Sequence, residues 1–383
     1  MKLQQPTLRT RSLRNAGKVL LALAAVLPLL TSCRNDDDTP DQRVRVTTQP
    51  SDPEQTLLSL FTRYRFVALG ELHYNQEIWD LVDDLVRQPS FADRVNTVGF
   101  EGGNSAYQDL MDRYVNGEAV PEAEIKKVWR NNTQNSTTFD APVYLRFLNQ
   151  VRDLNRRLPA AKKVRVLLMD PPIDWSRVQS TDDWLGFALQ RQDNMEKVIE
   201  AEVYQQNKTL LYVAGPVHID RNSSNPLIKN PLVRLEAKYP GTTFSVTTYS
   251  GFGLNEQRLA EVEAQFAAWP RPGIALLKDT WVGQLEGGIN SRIKNADGTI
   301  TNPYPGLNMQ DIHDAILFLG NRSQLTLSDP SKGVCTGKPE DQAWIDELLR
   351  RQEVIKTPPF LRKTKEDFCK PYPLHYFDQD IYK

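Results

Sequence analysis

Cysteine and histidine are scarce in this chain, three and four among 383 residues. Three cysteines cannot build a disulfide-dense scaffold. There is no Cys-x-x-Cys, His-Glu-x-x-His, Gly-x-Ser-x-Gly or P-loop pattern, which sets aside thiol-redox, zincin, serine-elbow and nucleoside-triphosphate readings. Excess charge of one sign is missing too, with 47 basic against 48 acidic residues. Five of the basic residues (Lys2, Arg9, Arg11, Arg14, Lys18) fall in residues 1–33, which hold no acid, so the remainder carries 42 against 48 and sits near −6. Without a basic stripe to neutralise phosphates, the composition argues against nucleic acid as a partner. The longest apolar run, 19–30, has twelve residues and contains Pro28, well under the roughly 20 that cross a bilayer. Wholesale disorder is excluded by 7 Trp, 13 Tyr and 14 Phe.

The short apolar run sits where a signal peptide would place it. A basic segment, 1–18, precedes it and Leu30-Thr31-Ser32-Cys33 follows. These four residues resemble the lipobox of bacterial lipoproteins. The resemblance implies a signal peptide over 1–33, lipidation of Cys33, and a membrane partner through that anchor. Arg34 stands where inner-membrane retention uses aspartate, which points to the outer membrane or cell surface of the cell envelope, the periplasmic side staying open. Residues 34–55 read as a polar tether. Export leaves Cys335 and Cys369 in an oxidising compartment, where a disulfide between them is expected.

From residue 56 short apolar runs alternate with amphipathic stretches. Strands are predicted at 66–69, 97–100, 164–169, 209–214, 242–248, 274–277 and 315–319. Helices are predicted at 75–87, where Ile78, Leu81, Val82, Leu85 and Val86 share a face and Asn75 is the N-cap. Others are predicted at 104–115, over most of 121–156 with a polar break at 131–138, and as one long helix over 182–205. Such alternation predicts an α/β fold: a mainly parallel central sheet with helices on both faces and a helical insertion near 105–160. No Pro/Gly-rich linker divides 56–330, which reads as one domain, with 331–383 an extension wrapping it. Asp297-Gly298 marks a turn in the polar stretch 286–309, a surface hairpin or a lid.

Two of the four histidines occupy one repeated context. The runs ending at His73 and at His218 are each an apolar strand followed by Gly-x-x-His. In open α/β sheets ligands bind beyond the carboxyl ends of the strands, so both rings are predicted to face one pocket. Glu71 precedes His73 by two residues and shares its side in extended chain. Glu101 and Asp170 each follow a strand. Arg191 lies on the apolar face of its helix with Ala188 and Met195; a buried guanidinium is costly unless paired. The strand-end carboxylates are its expected partners, and snorkelling to the surface is the alternative. Three acids and two imidazoles suit two jobs. One is general-base activation of water. The other is a mixed N/O site for a divalent metal, held by Glu71, His73, Asp170 and His218. As rim residues, both histidines are expected to contribute little to stability. His313 and His375 read as loop-orienting and packing residues.

Together these motifs resemble the superfamily that joins erythromycin esterases, ChaN-like haem-binding lipoproteins and TIKI/TraB proteins. Gly70-Glu71-Leu72-His73 is similar to the Gly-Glu-x-His opening of ChaN-like proteins and to the Gly-x-x-His of TIKI proteins. Glu101 is similar to their second acidic motif. Arg191-Gln192-Asp193-Asn194-Met195 is similar to their Arg-Asp-x-x-Met segment with one inserted residue, and Gly215-Pro216-Val217-His218 to their late strand end. Erythromycin esterases carry an extra residue between Glu and His, so the spacing here is nearer to ChaN and TIKI. The resemblance implies an EreA/ChaN-like fold and leaves two functions. One is hydrolysis of an ester or amide bond in a small-molecule or peptide substrate, with Glu71, His73, Glu101, Arg191 and His218 catalytic. The other is non-enzymatic ligand binding, with haem as cofactor and Tyr74 or Tyr212 as axial ligand.

The lipobox resemblance predicts that Cys33→Ser releases the protein from membranes or blocks its processing. Membrane fractionation and intact mass measure this, and an unchanged result in both would refute the anchor.

Overall fold

The computed structural model describes residues 48–222, 229–291, 293–294 and 300–379. Cys33, the signal segment, residues 34–47 of the tether and the Asp297-Gly298 turn lie outside the described residues. Among the described residues no helix is long and apolar enough to cross a membrane.

The apolar runs become β1 (Phe66–Gly70), β2 (Thr97–Asn104), β3 (Arg165–Asp170), β4 (Leu210–Ala214), β5 (Thr243–Thr248) and β6 (Gly273–Leu276). A two-strand hairpin follows, β7 (Ile293–Lys294) and β8 (Ile300–Thr301), and then β9 (Ala315–Phe318). The hairpin stands apart; the other strands form one sheet in the order β3-β2-β4-β1-β5-β9-β6. All its pairings are parallel except that of the edge strand β6 with β9. Side chains alternate between faces with the period of two that strands impose. Val67, Leu69, Val98 and Phe100 join one core cluster. Phe66, Ala68, Met169 and Tyr212 join the other. Both faces are therefore covered, as near-continuous apolar strands require.

The first helix, α1 (Pro53–Leu60), starts ahead of residue 56, and Ser51 exchanges backbone hydrogen bonds with Ile274 on the edge strand. After β1 comes α2 (Gln76–Arg87), capped by the Asn75 side chain accepting from the Ile78 amide at 3.0 Å. A short α3 (Phe91–Arg94) leads into β2. Between β2 and β3 lie α4 (Gln108–Val115), α5 (Glu122–Arg130) and α6 (Pro142–Arg157). α6 lies on α2 through Trp79, whose ring centroid is 5.0 Å from Tyr144 and 5.2 Å from Phe147.

The long helix expected over 182–205 is instead two. α7 (Thr181–Ala188) ends at Leu189, Gln190 leaves the helix, and α8 (Arg191–Ile199) begins before a final π turn, Glu200–Tyr204. No Gly or Pro stands at the break itself, Leu189-Gln190, and Gly186 lies inside α7, so helical periodicity runs through it. It falls at Arg191, whose guanidinium pairs with Asp170 and Glu101 in the sheet.

The chain after 330 is built into the fold. Helix Pro339–Val354 buries Arg351 between the rings of Trp175 and Trp344, at 4.2 and 4.9 Å from their centroids, a two-sided cation–π contact. Arg351 donates to the Arg130 carbonyl at 2.7 Å and to Asn131 Oδ1 at 2.9 Å, satisfying a guanidinium that is costly to bury alone. Cys335 and Cys369 are joined by a disulfide. Further on, Gln379 accepts a hydrogen bond from the Tyr74 hydroxyl at 2.9 Å.

The disulfide joins residues 34 positions apart. In the chain-entropy model a loop of that size is worth about 4 kcal/mol. Cys335→Ser is expected to lower the denaturant midpoint accordingly, and reductant should lower the parent but not the variant. Equal midpoints for parent and variant would overturn the assignment of stability to this bridge.

Candidate functional site

Parallel register brings the carboxyl ends of the central strands to one level. Gly70 pairs with Ala214, and Phe100 lies opposite both Val213 and Leu168. The next residues are Glu71 and Gly215, beyond their strands, and Glu101, which lies within β2 instead of following it; Asp170 is likewise the last residue of β3 instead of the first beyond it. The six residues expected at the site, Glu71, His73, Glu101, Asp170, Arg191 and His218, all meet here.

Glu71 is held by three donors on one oxygen. Its Oε1 accepts from Tyr144 Oη at 2.5 Å, Trp79 Nε1 at 2.9 Å and the Tyr74 amide at 3.2 Å. The Tyr74 backbone adopts φ +52°, and its amide is also within 2.9 Å of Tyr144 Oη. Glu71 Oε2 is thereby left for His73, whose Nδ1 lies 3.5 Å away. His73 turns its Nε2 towards Glu101 Oε1 at 3.8 Å. The Phe139 ring stands edge-on to His73, with centroids 5.6 Å apart. Phe139 fits there because Gly102 has no Cβ; one built on it would come within 2.3–2.5 Å of three Phe139 ring atoms.

Glu101 is the hub. Its Oε1 takes Arg191 Nη2 at 3.1 Å and His218 Nε2 at 3.2 Å, and its Oε2 takes the Gly215 amide at 2.7 Å. Asp170 is enclosed by Thr133, through its amide at 2.6 Å and hydroxyl at 2.8 Å, and by Arg191 Nε at 2.8 Å. With its amide oxygen turned to Arg191, Gln134 accepts from both terminal nitrogens at 3.1 and 3.2 Å. Arg191 is thus paired and does not snorkel. His218 Nδ1 is met by the carboxamide of Gln192.

These contacts set the charges. Burial works against protonation of His73, but the neighbouring carboxylates Glu101 and Glu71 outweigh it and raise its pKa to about 9. Burial likewise opposes ionisation of Glu101, yet His218, His73 and Arg191 hold its carboxyl well below the usual range. Burial dominates at Asp170, pushing it up to about 6 against Arg191 and Thr133. At His218 burial prevails over Glu101 and lowers the pKa, so this ring is neutral near pH 7. The side chains differ in access: His73 is 31% exposed and Arg191 18%, while Glu71, Glu101, Asp170 and His218 are at most 3%. A ligand meets His73 first.

The metal set read from the sequence is divided. Among the described residues, Glu71, His73 and Glu101 form the group whose donor atoms come within 4.8 Å of one another. Asp170 spends both oxygens on Thr133 and Arg191, and His218 spends both ring nitrogens on Glu101 and Gln192. Within the closer group Glu101 already receives a guanidinium, an imidazole N–H and an amide, so only Glu71 Oε2 and His73 offer uncommitted donors. Two donors fall short of the three protein ligands of catalytic metal sites. The donor set does not fit a resident divalent ion.

The haem ligands expected from the sequence are also displaced. Tyr74 is buried and bonds to Gln379. The Tyr212 side chain lies within the sheet's other core cluster, with its hydroxyl 3.2 Å from Met195 Sδ. Neither phenol faces the opening beside His73. His313 lies in a second buried group with Ser245 at 2.9 Å and Asp220 at 3.4 Å, and Tyr304 also bonds Asp220. His375 is exposed. Sequence reasoning missed Trp79, Thr133, Gln134, Tyr144 and Gln192. Trp79 and Tyr144 look like ordinary core aromatics, and only the adjacency of Gln192 to Arg191 on one helix signalled a role.

Both histidines belong to the network, contrary to the expectation of rim residues with little weight. Since folding raises the His73 pKa from about 6.5 to about 9, its contribution is full below the lower value and lost as pH rises through the higher one. The stability gap between parent and His73→Ala is therefore expected to be largest below about pH 6.5 and to close above about pH 9. His218→Ala leaves Glu101 short of a donor and should cost about 1–3 kcal/mol at neutral pH. Denaturation at several pH values measures both, and a pH-independent gap for His73→Ala would contradict the charge assignment.

No family model and no curated protein matches the chain. Solved structures similar to it include a Bacillus cereus protein at 12% identity and TM-score 0.48, covering 71% of this chain and 93% of its own. The erythromycin esterase EreC, a mutant in its open conformation, is 13% identical at TM-score 0.46, covering 68% of this chain and 92% of its own. ChaN of Campylobacter jejuni with cofacial haem is 16% identical at TM-score 0.33, covering 50% of this chain and 84% of its own. At these identities and scores the similarities carry no conclusion about activity.

Proposed function

We propose that this chain is a cell-envelope lipoprotein, tethered through Cys33, that hydrolyses an ester or amide bond in a small-molecule or peptide substrate. The observation that supports this most is the Glu71–His73 pair. Among these groups His73 is the most accessible, at 31%, and Glu71 Oε2, the oxygen not taken by Tyr144, Trp79 and the Tyr74 amide, stands 3.5 Å from its Nδ1. In the neutral ring of this reading, Nδ1 carries the hydrogen and faces Glu71 Oε2 at 3.5 Å, while Nε2 keeps the lone pair. Water at Nε2 attacks the carbonyl while His73 takes its proton, and Glu71 balances the imidazolium that forms. The collapsing intermediate returns that proton to the leaving oxygen or nitrogen. Arg191 holds Glu101 and Asp170 in place behind the ring.

A panel of chromogenic esters and peptide amides tests this with the exported chain. His73→Ala is expected to reduce kcat by about 10²- to 10⁴-fold, and Glu71→Gln to reduce it as well. Free His73 base accumulates only above its pKa of about 9, so kcat/KM should rise with pH and level off near that value. Chelator should leave the rate unchanged. Turnover that survives His73→Ala, or no turnover across the panel, would overturn the reading.

A further inference from the structure

Gln192 presents both ends of its carboxamide to one atom. Its Nε2 lies 3.0 Å and its Oε1 3.1 Å from His218 Nδ1. The other ring nitrogen is fixed by charge. His218 Nε2 stands 3.2 Å from Glu101 Oε1, a carboxylate that Arg191 and His73 keep ionised. A carboxylate at that distance needs a hydrogen on Nε2; with a lone pair there, two lone pairs would oppose each other. A neutral ring then has its lone pair on Nδ1, and the carboxamide NH₂ is the group able to donate to it.

We infer that Gln192 is a positioning residue that holds His218 as the neutral Nε2–H tautomer, so that His218 serves as a fixed donor to Glu101 and His73 is left as the single ring that exchanges protons with a ligand. The inference rests on the reading of His73 as base for its last clause only; the tautomer itself stands on the geometry. The groups facing the ring are Glu101 from β2, Gln192 and Arg191 from α8, and His73 beyond β1. Burial of the ring acts in the same direction, against a second proton. A ring held by two hydrogen bonds gives Glu101 a constant charge and position, and Glu101 in turn faces His73 Nε2 at 3.8 Å. Sequence reading had made His218 a second base or ligand. Its Nδ1 lone pair is capped by Gln192, so it is neither.

Nitrogen-15 NMR of the full chain labelled at histidine tests this without any substrate, and four histidines keep the spectrum simple. His218→Asn identifies its signals. The parent is expected to show His218 as the neutral Nε2–H form at pH 7. Gln192→Glu replaces the donor by an acceptor of the same length and should move His218 to the form carrying a proton on Nδ1. Gln192→Leu should mix the two neutral tautomers and, where hydrolysis is measured, lower kcat several-fold with KM unchanged. A His218 that is Nδ1–H in the parent, or one unaltered by both substitutions in folded protein, would overturn the role of Gln192. Failure of the hydrolase reading appears separately, as absent turnover with the tautomer still in place.

Discussion

Three carboxyl groups meet at one edge of the sheet, and Glu71, Glu101 and Asp170 are each no more than 2% exposed. Like charges brought this close out of water cannot coexist without compensation. Arg191 supplies the fixed positive charge, bonded to Glu101 and Asp170 together. Much local structure answers to that need. The helix over 182–205 breaks so that Arg191 can begin α8 facing the strands. The polar stretch after α5 folds down to place Thr133 on Asp170, and Gly215 turns its amide onto Glu101. Without the guanidinium, Asp170 and Glu101 would have to take up protons or water, and the loops they gather would lose their anchor.

The same arrangement divides labour among residues that look alike in the sequence. The two Gly-x-x-His segments are superimposable as text, yet one imidazole is 31% exposed and the other 3%. The difference follows from what comes next along the chain. After His73 the backbone turns at Tyr74 through φ +52°, leaving one ring edge at the opening. His218 closes a short 3₁₀ turn, Pro216–His218, and its ring lies between Glu101 and α8. Of the two rings, His73 is therefore the one that solvent reaches.

The strands and the insertion were legible because each rests on local pattern: strand runs four to seven residues long, an Asn N-cap, periodicity in α2; the end of β2 was not, since that strand continues past Phe100 to Asn104. The convergence of Glu71, Glu101, Asp170 and the two histidines was legible for a topological reason, since parallel strands place their carboxyl ends at one edge. The break between α7 and α8 was not, because it follows a buried ion pair at Arg191 and the apolar spacing continues across it. Nor was the support of Glu71 legible. Trp79 and Tyr144 arrive from α2 and α6, and nothing in either segment separates a core aromatic from one whose N–H or O–H holds a carboxylate. Tyr74 and Tyr212 failed as ligands for the converse reason: proximity to a site residue in sequence does not decide which side of the backbone a side chain takes.

The site's backbone is also braced by residues made long after it. Asn131 is gripped by Arg351, and two residues on Thr133 holds Asp170. Tyr74, beside His73, is fastened to Gln379. The last strand of the seven-stranded sheet, β9, ends at Phe318, whereas the braces on the walls around His73 and Asp170 come from Arg351 and Gln379, further along the chain. The residues that complete the sheet and the residues that secure the site are therefore separate along the sequence, so a chain cut after β9 would keep every strand and lose both braces.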